Sequence, residues 1–155
     1  MKTLKDFFHK YIENTPEKAV VADKKMFLCL LTVAVCKGVG IRQRNVYVTA
    51  RMLKHLYDKK PAEEFLFILN HLYEVVRYPD KIFKNRDGKR GSFSFVKKIA
   101  NAEYFSSVEE IITVESEETQ IATVFRLRDD KYIKNYTLLW DWGNGNPHRS
   151  ALDAP

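Results

Sequence analysis

At Lys81 the apolar residues of this 155-residue chain change their repeat. Before it they recur every three or four positions, the spacing of helices with one buried stripe. After it they alternate, the spacing of strands with one buried face. Helices first and hairpins second predict an α+β fold, with N-terminal helices packed on an antiparallel sheet.

In the helical part, Leu4, Phe7, Phe8 and Tyr11 form one stripe, which Asn14-Thr15-Pro16 ends. The apolar run 26–35 opens on Met26 and closes on Val35. Asp23 would cap a second helix through Met26, Phe27, Leu30, Leu31 and Ala34, ended by Gly38 or Gly40. Such a helix is apolar nearly all round, so the rest of the domain or another subunit must cover it. Val46, Tyr47 and Val48 read as a short strand and Thr49 as a cap. The helix that follows buries Met52, Leu53 and Leu56. Another spans 61–76, with Pro61 in the first turn and Glu63 and Glu64 complementing the helix dipole.

In the sheet part, 82–85 and 92–99 flank an Asp87-Gly88 turn, 109–115 and 120–128 flank a polar turn, and 132–140 follows Asp129-Asp130. These make a meander of about four to five strands. The chain divides into a helical extension (1–41), a core (42–142) and an unpatterned tail (143–155).

Apolar residues make up 45% of the chain and charged residues 30%, enough for a core and a solvated surface. The net charge of +6 favours an anionic partner. Cys29 and Cys36, seven apart on the predicted helix, would lie about 10 Å from each other, too far for a disulfide. His9, His55, His71 and His148 are scattered, and no pair has zinc spacing, so no metal or other cofactor is expected. The run 26–35 is too short to cross a bilayer, and the charges ahead of it do not suit a signal peptide. A soluble, cytoplasmic chain without a membrane partner is the expectation.

Between residues 81 and 98, Lys81, Lys84, Arg86, Lys89, Arg90, Lys97 and Lys98 face a single acid, Asp87. That is a candidate phosphate-binding surface, or else an edge strand guarded by lysines. Phe93, Phe95, Lys97 and Ile99 share one face of their strand; Ser92, Ser94, Val96 and Lys98 share the other. The alternation leaves open which face meets the helices. Either lysine would stabilise the charge of a phosphorane-like transition state. Thr137 offers a hydroxyl to a phosphate oxygen, or is simply a strand former. Arg126 and Arg128 share a face and suit bidentate phosphate contact. His55 sits off the centre of its helix's buried stripe, with Arg51 one turn before it and Lys59 one turn after. Histidine exchanges protons near neutrality, so His55 is an acid/base candidate or a boundary residue. His71 reads as a packing histidine, and His148 as a second acid/base group only if the tail folds over a site.

The order of features carries a resemblance. A strand ends in Thr49, a helix contains Leu53-Lys54-His55, a second helix ends near Pro79-Asp80, a strand centres on Phe95-Val96-Lys97-Lys98, and a last strand reads Thr137-Leu138-Leu139-Trp140. Over residues 46–142 this resembles the phage-associated members of the barnase–EndoU–colicin–RelE superfamily of ribonucleases. The resemblance implies a helix-plus-four-strand core and metal-independent RNA cleavage, toxin-like or carried by a mobile element. It makes His55 the acid/base group, Lys97 the transition-state cation, Thr137 the phosphate-orienting hydroxyl and Arg126 a secondary cation. Arg51, Lys84, Arg86, Lys89, Arg90 and Lys98 would hold the RNA backbone. The expected partners are RNA and a neutralising protein or second copy docked on the 26–35 segment. The second histidine of EndoU-type sites has no counterpart. The same residues also fit a non-catalytic nucleic-acid-binding or phage-assembly module, or a protein-docking regulatory partner.

Overall fold

Three threonines open three helices. Thr3, Thr32 and Thr49 each sit in extended backbone and accept a hydrogen bond from the amide three residues on, at Asp6, Val35 and Met52. Each satisfies one of the donors a helix start leaves unpaired. The computed structural model describes residues 3–85 and 92–142. In chain order these form α1 (Leu4–Tyr11), β1 (Lys25–Leu30), α2 (Val33–Val39), β2 (Asn45–Thr49), α3 (Ala50–Lys59), α4 (Ala62–Arg77), β3 (Lys81–Lys84), β4 (Phe93–Ile99), β5 (Ala102–Ile112), β6 (Glu117–Leu127), a turn of 3-10 helix (Asp130–Ile133) and β7 (Thr137–Asp141). The fold is α+β, and among the described residues it has four α-helices and one seven-stranded sheet.

Four expectations need correction. The run expected as a helix from Met26 is a strand: β1 pairs antiparallel with β2, and the helix begins only after Thr32. A short run that is apolar on both sides suits a strand as well as a buried helix, and here pairing decides. Cys29 therefore lies on β1 and Cys36 on α2; both are buried free thiols. Second, β5 starts at Ala102, seven residues before the expected 109, after a two-residue turn in which Ala100 (φ 49°) and Asn101 (φ 68°) are both left-handed. Third, residues 130–133 turn as 3-10 helix, and β7 crosses over to pair with β3. Fourth, β2 and β6 run parallel, so the sheet is mixed. Its order is β1-β2-β6-β5-β4-β3-β7, seven strands in place of a four- to five-stranded meander. The Asp87-Gly88 turn and the tail 143–155 lie outside the described residues.

The sheet has two unequal faces. Phe93, Phe95, Val108, Ile121 and Val124 join the helices in one large core, together with Leu4, Phe7 and Phe8 of α1 and Leu53 and Leu56 of α3. The expected extension 1–41 thus contributes α1, β1 and α2 to that same core. Phe83, Val96, Phe105 and Leu127 form a smaller cluster on the opposite face, with Phe125, Ile133 and Tyr136 against it. α4 packs against β1, β4, β5 and β6. α2 follows β1 at one edge of the sheet yet packs on β7 at the other, so the sheet curls round α4. Closure is tight: a Cβ on Gly38 would come within 3.1 Å of the Trp140 ring. No helix among the described residues is long and apolar enough to cross a membrane.

Candidate nucleic-acid interface

Where the curled sheet closes, side chains from four elements meet. Thr32, Ala34 and Val35 come from α2 and its cap, and Arg77, Tyr78 and Pro79 from the end of α4. Lys97 comes from β4, and Trp140 and Trp142 from β7 and the residue after it. Together they line a cavity of about 370 Å³.

Lys97 is on the same face as Phe93 and Phe95, which settles the alternation left open by the sequence: the phenylalanine face meets the helices. Its side chain is 21% exposed. Its Nζ donates to the Tyr78 carbonyl at 2.7 Å and lies 3.7 Å from the Asp80 carboxylate. That carbonyl belongs to the C-cap of α4, where the partial negative charge of the helix end favours cations. Arg77 stands in the last turn of the same helix, its guanidinium 4.9 Å from the Tyr78 ring centre.

Arg77 Nη1 and Trp140 Nε1, on two of the lining residues, are sealed from solvent without a hydrogen-bond partner, which costs about 1–3 kcal/mol for each such donor. Trp140 is 5% exposed and lies nearly parallel to Trp142, with ring centres 5.9 Å apart and planes 9° from each other. Behind the wall, burial pushes the Cys29 thiol up to about 12, with nearby Arg77 pulling the other way, so the sulfur is a packing group and not a nucleophile.

The other predicted residues are dispersed. His55 is exposed on the outer side of α3, in line with exposed Arg51 and Lys59, while Met52, Leu53 and Leu56 point inward. Its neighbour Lys54 is buried, donating to Asp58 and to the Pro16 carbonyl, each at 2.7 Å. Asp58 also accepts the Lys18 amide. The Lys54 hydrogen bond holds the Asp58 carboxyl below its usual range. Thr137 is exposed at the start of β7, in register with Lys84, whose Nζ lies 4.5 Å from the Phe93 ring centre. Lys98 is exposed, with a side chain on the opposite face from Lys97 and an amide that donates to Asp80. Arg126 is exposed opposite Tyr104, which in turn lies opposite Lys97. Its neighbour Arg128 pairs with Glu64 at 2.8 Å. His71 stacks on Phe67, ring centres 4.1 Å apart, and hydrogen-bonds Glu74. Arg86, Lys89, Arg90 and His148 lie outside the described residues.

Of the three residues assigned chemistry by the resemblance, Lys97 alone lines the cavity; His55 and Thr137 are not among its walls. Sequence reasoning missed Arg77, Trp140 and Trp142. One signal was present: the chain has two tryptophans, two positions apart where its last strand ends. No protein-family model matches the chain, and neither curated proteins nor solved structures give a match.

Proposed function

We propose that the protein is a metal-independent RNA endonuclease that holds a substrate phosphate beside Arg77 and Lys97. The observation that carries this reading is the cavity itself: two cationic side chains, Arg77 and Lys97, line it together with a pair of parallel indoles. Cations with aromatic platforms are what a nucleic-acid strand needs, charge for its phosphates and flat apolar surface for its bases.

In the reaction the ribose 2′ oxygen loses its proton to a base and bonds to the adjacent phosphorus. The bond from phosphorus to the 5′ oxygen breaks, and an acid protonates that leaving oxygen. The products are a 2′,3′-cyclic phosphate and a 5′ hydroxyl. Lys97 and Arg77 serve the charge that builds on the phosphorane oxygens; His55 does not line the cavity, so proton exchange at that phosphate falls to another group. The test is incubation of single-stranded and structured RNA with the protein in EDTA, with end-group analysis. Cyclic-phosphate ends that disappear in Lys97→Ala are expected; no cleavage by the unmodified protein refutes the reading.

A second reading has an observation of its own in favour. His55 is exposed on α3 and does not line the cavity. A protein that binds RNA there without cutting it would show salt-sensitive binding and no turnover.

A further inference from the structure

We propose that the outer face of the sheet carries a second contact for RNA, in which the ring of Tyr132 stacks on an unpaired base while Arg126 and Lys131 meet neighbouring phosphates. This names a single strand as the substrate class. It rests on the reading that the protein binds RNA, and it uses none of the groups that line the cavity.

The end of β6 and the turn after it shape an open concavity of about 440 Å³. Phe125, Leu127 and Tyr132 give it an apolar floor, and Arg126, Arg128 and Lys131 surround that floor. Asp129 is the one acid among the lining residues, and its carboxylate already accepts the Lys131 amide at 2.8 Å. Three features converge on a nucleic-acid strand. First, the cations can reach a ligand. Arg126, Arg128 and Lys131 are all exposed. Arg128 is tied to Glu64 at 2.8 Å, but neither Arg126 nor Lys131 forms an ion pair with a described residue. Two exposed cations without counter-ions beside one concavity suit a polyanion, and phosphate is the anion that repeats along RNA. Second, ring geometry picks out the residue that can take a base. Phe125 is covered: Phe105 stacks on it with centres 4.5 Å apart, and Lys60 Nζ lies 5.4 Å from its centre. Tyr132 has no such cover. Phe105, Phe125 and Tyr136 stand steeply to it, at 77°, 72° and 76°, so no parallel ring lies on its face, and the residue is 41% exposed. A base stacks on such a ring whatever its identity. Third, charge and flat surface are interleaved, Arg126 following Phe125 and Tyr132 following Lys131. That mixture is what single-strand sites use, cations for the backbone and rings for the bases. Bases inside an RNA duplex keep their faces covered, so only an unpaired strand brings a bare base and its phosphates here together.

The full-length protein is titrated with a fluorescein-labelled 2′-O-methyl oligouridine about twelve nucleotides long, which lies within the span of single-strand sites and is not cut. A labelled RNA duplex is the comparison, and anisotropy gives both affinities. Tyr132→Ala should weaken single-strand binding about tenfold and leave duplex binding unchanged, and Tyr132→Phe, which keeps the ring, should restore the single-strand affinity. Arg126→Gln and Lys131→Gln change exposed side chains, and each should lower the slope of log affinity against log salt by about 0.7, the share of one phosphate on a single strand. A 4-thiouridine placed in the strand should crosslink within residues 125–132 on irradiation. A Tyr132→Ala protein that binds like the original, salt slopes unchanged in both cation variants, or crosslinks that miss residues 125–132 each overturn this contact while leaving RNA binding standing. If neither RNA changes the anisotropy and no RNA is cut, the proposed function falls as well.

Discussion

The cavity under Trp142 and the outer face of α3 carry similar side chains in opposite settings. One has Arg77 and Lys97, the other Arg51, His55 and Lys59. In the cavity wall the cations are held by neighbours: Lys97 donates to a helix-end carbonyl and faces Asp80, and the Arg77 guanidinium lies 4.9 Å from the Tyr78 ring centre. On α3 the three side chains stand in water, and the helix is held by what lies beneath them. Charge in solvent is screened and inexpensive to rearrange; charge set in a partly closed wall is preorganised. The comparison teaches that a basic residue's chemistry depends less on its neighbours in sequence than on whether the fold removes it from water.

The largest difference should appear in activity. Lys97→Ala is expected to reduce RNA cleavage by about 100- to 1,000-fold, the size seen when a preorganised charge is removed from a developing oxyanion. It should weaken RNA binding as well. His55→Ala is expected to keep both turnover and binding, because His55 lies outside the cavity wall. Single-turnover cleavage beside an anisotropy titration checks both. If His55→Ala cuts RNA normally, the outer face of α3 is plain surface and the comparison is complete. If it binds RNA more weakly, the two regions form one track.

Within α3 the contrast is one of stability. Leu53 is fully buried and His55 is exposed, two residues apart. Leu53→Ala should cost about 2–5 kcal/mol, because it removes packed methylenes from the core and leaves a void. His55→Ala should stay within about 0.5 kcal/mol of the unmodified protein. Urea denaturation with a shared slope separates these effects from any catalytic one.

Acid should loosen α3 and the ends of α4 and β1 through three carboxylates whose folded-state pKa values are depressed. For Asp58 the cause is chiefly the Lys54 hydrogen bond. For Glu64 burial works against ionisation, but bonds from Arg128 and the Arg126 amide, with the charges of Lys60 and Arg128, outweigh it. For Glu118 burial is likewise outweighed, by Lys25 and Gln120. A carboxyl more acidic in the folded than in the unfolded chain stabilises the fold above its unfolded pKa. That contribution is lost as pH falls through the folded value. With unfolded values near about 4, stability should hold down to about pH 5 and fall below it. None of the three carboxylates lines the cavity. Melting temperature followed by circular dichroism between pH 7 and pH 3 should therefore drop, and Asp58→Asn should show a smaller drop.

How much of this was legible in the sequence follows from the range of the forces involved. The cap at Thr49, the bounds of α1, the helix 62–77 and the β3–β4 hairpin are set by residues a few positions apart, and their patterns were readable. β1 was not, because Met26, Phe27 and Leu28 have no polar face to give a period; only β2, nearly twenty residues later, makes them a strand. The crossover of β7 to β3 was hidden for the same reason, since alternation marks a strand and not its neighbour. The cavity depends on both of these long-range facts. Lys97 was named from its strand. Arg77 was not, because at the end of a helix it looked like an ordinary dipole-complementing cation until the fold brought Trp140 beside it.

The smallest effect tests whether the cavity is prebuilt. Gly40 closes α2 with a left-handed φ of 84°, and its amide donates to the Cys36 carbonyl at 2.9 Å. A Cβ there would meet nothing within 4 Å, so Gly40→Ala costs only backbone strain, about 1 kcal/mol. For a chain of this size that lowers the melting temperature by about 2–4 °C. The cavity takes its α2 wall from the other end of the helix, at Thr32, Ala34 and Val35, where the Thr32 cap holds it, while Gly38 lies against Trp140. RNA affinity of Gly40→Ala, read by tryptophan quenching, should therefore equal that of the unmodified protein while the melting temperature falls. A matching loss of affinity would mean that the wall is held from its C-terminal end. The cavity would then be no more preorganised than the solvated face of α3.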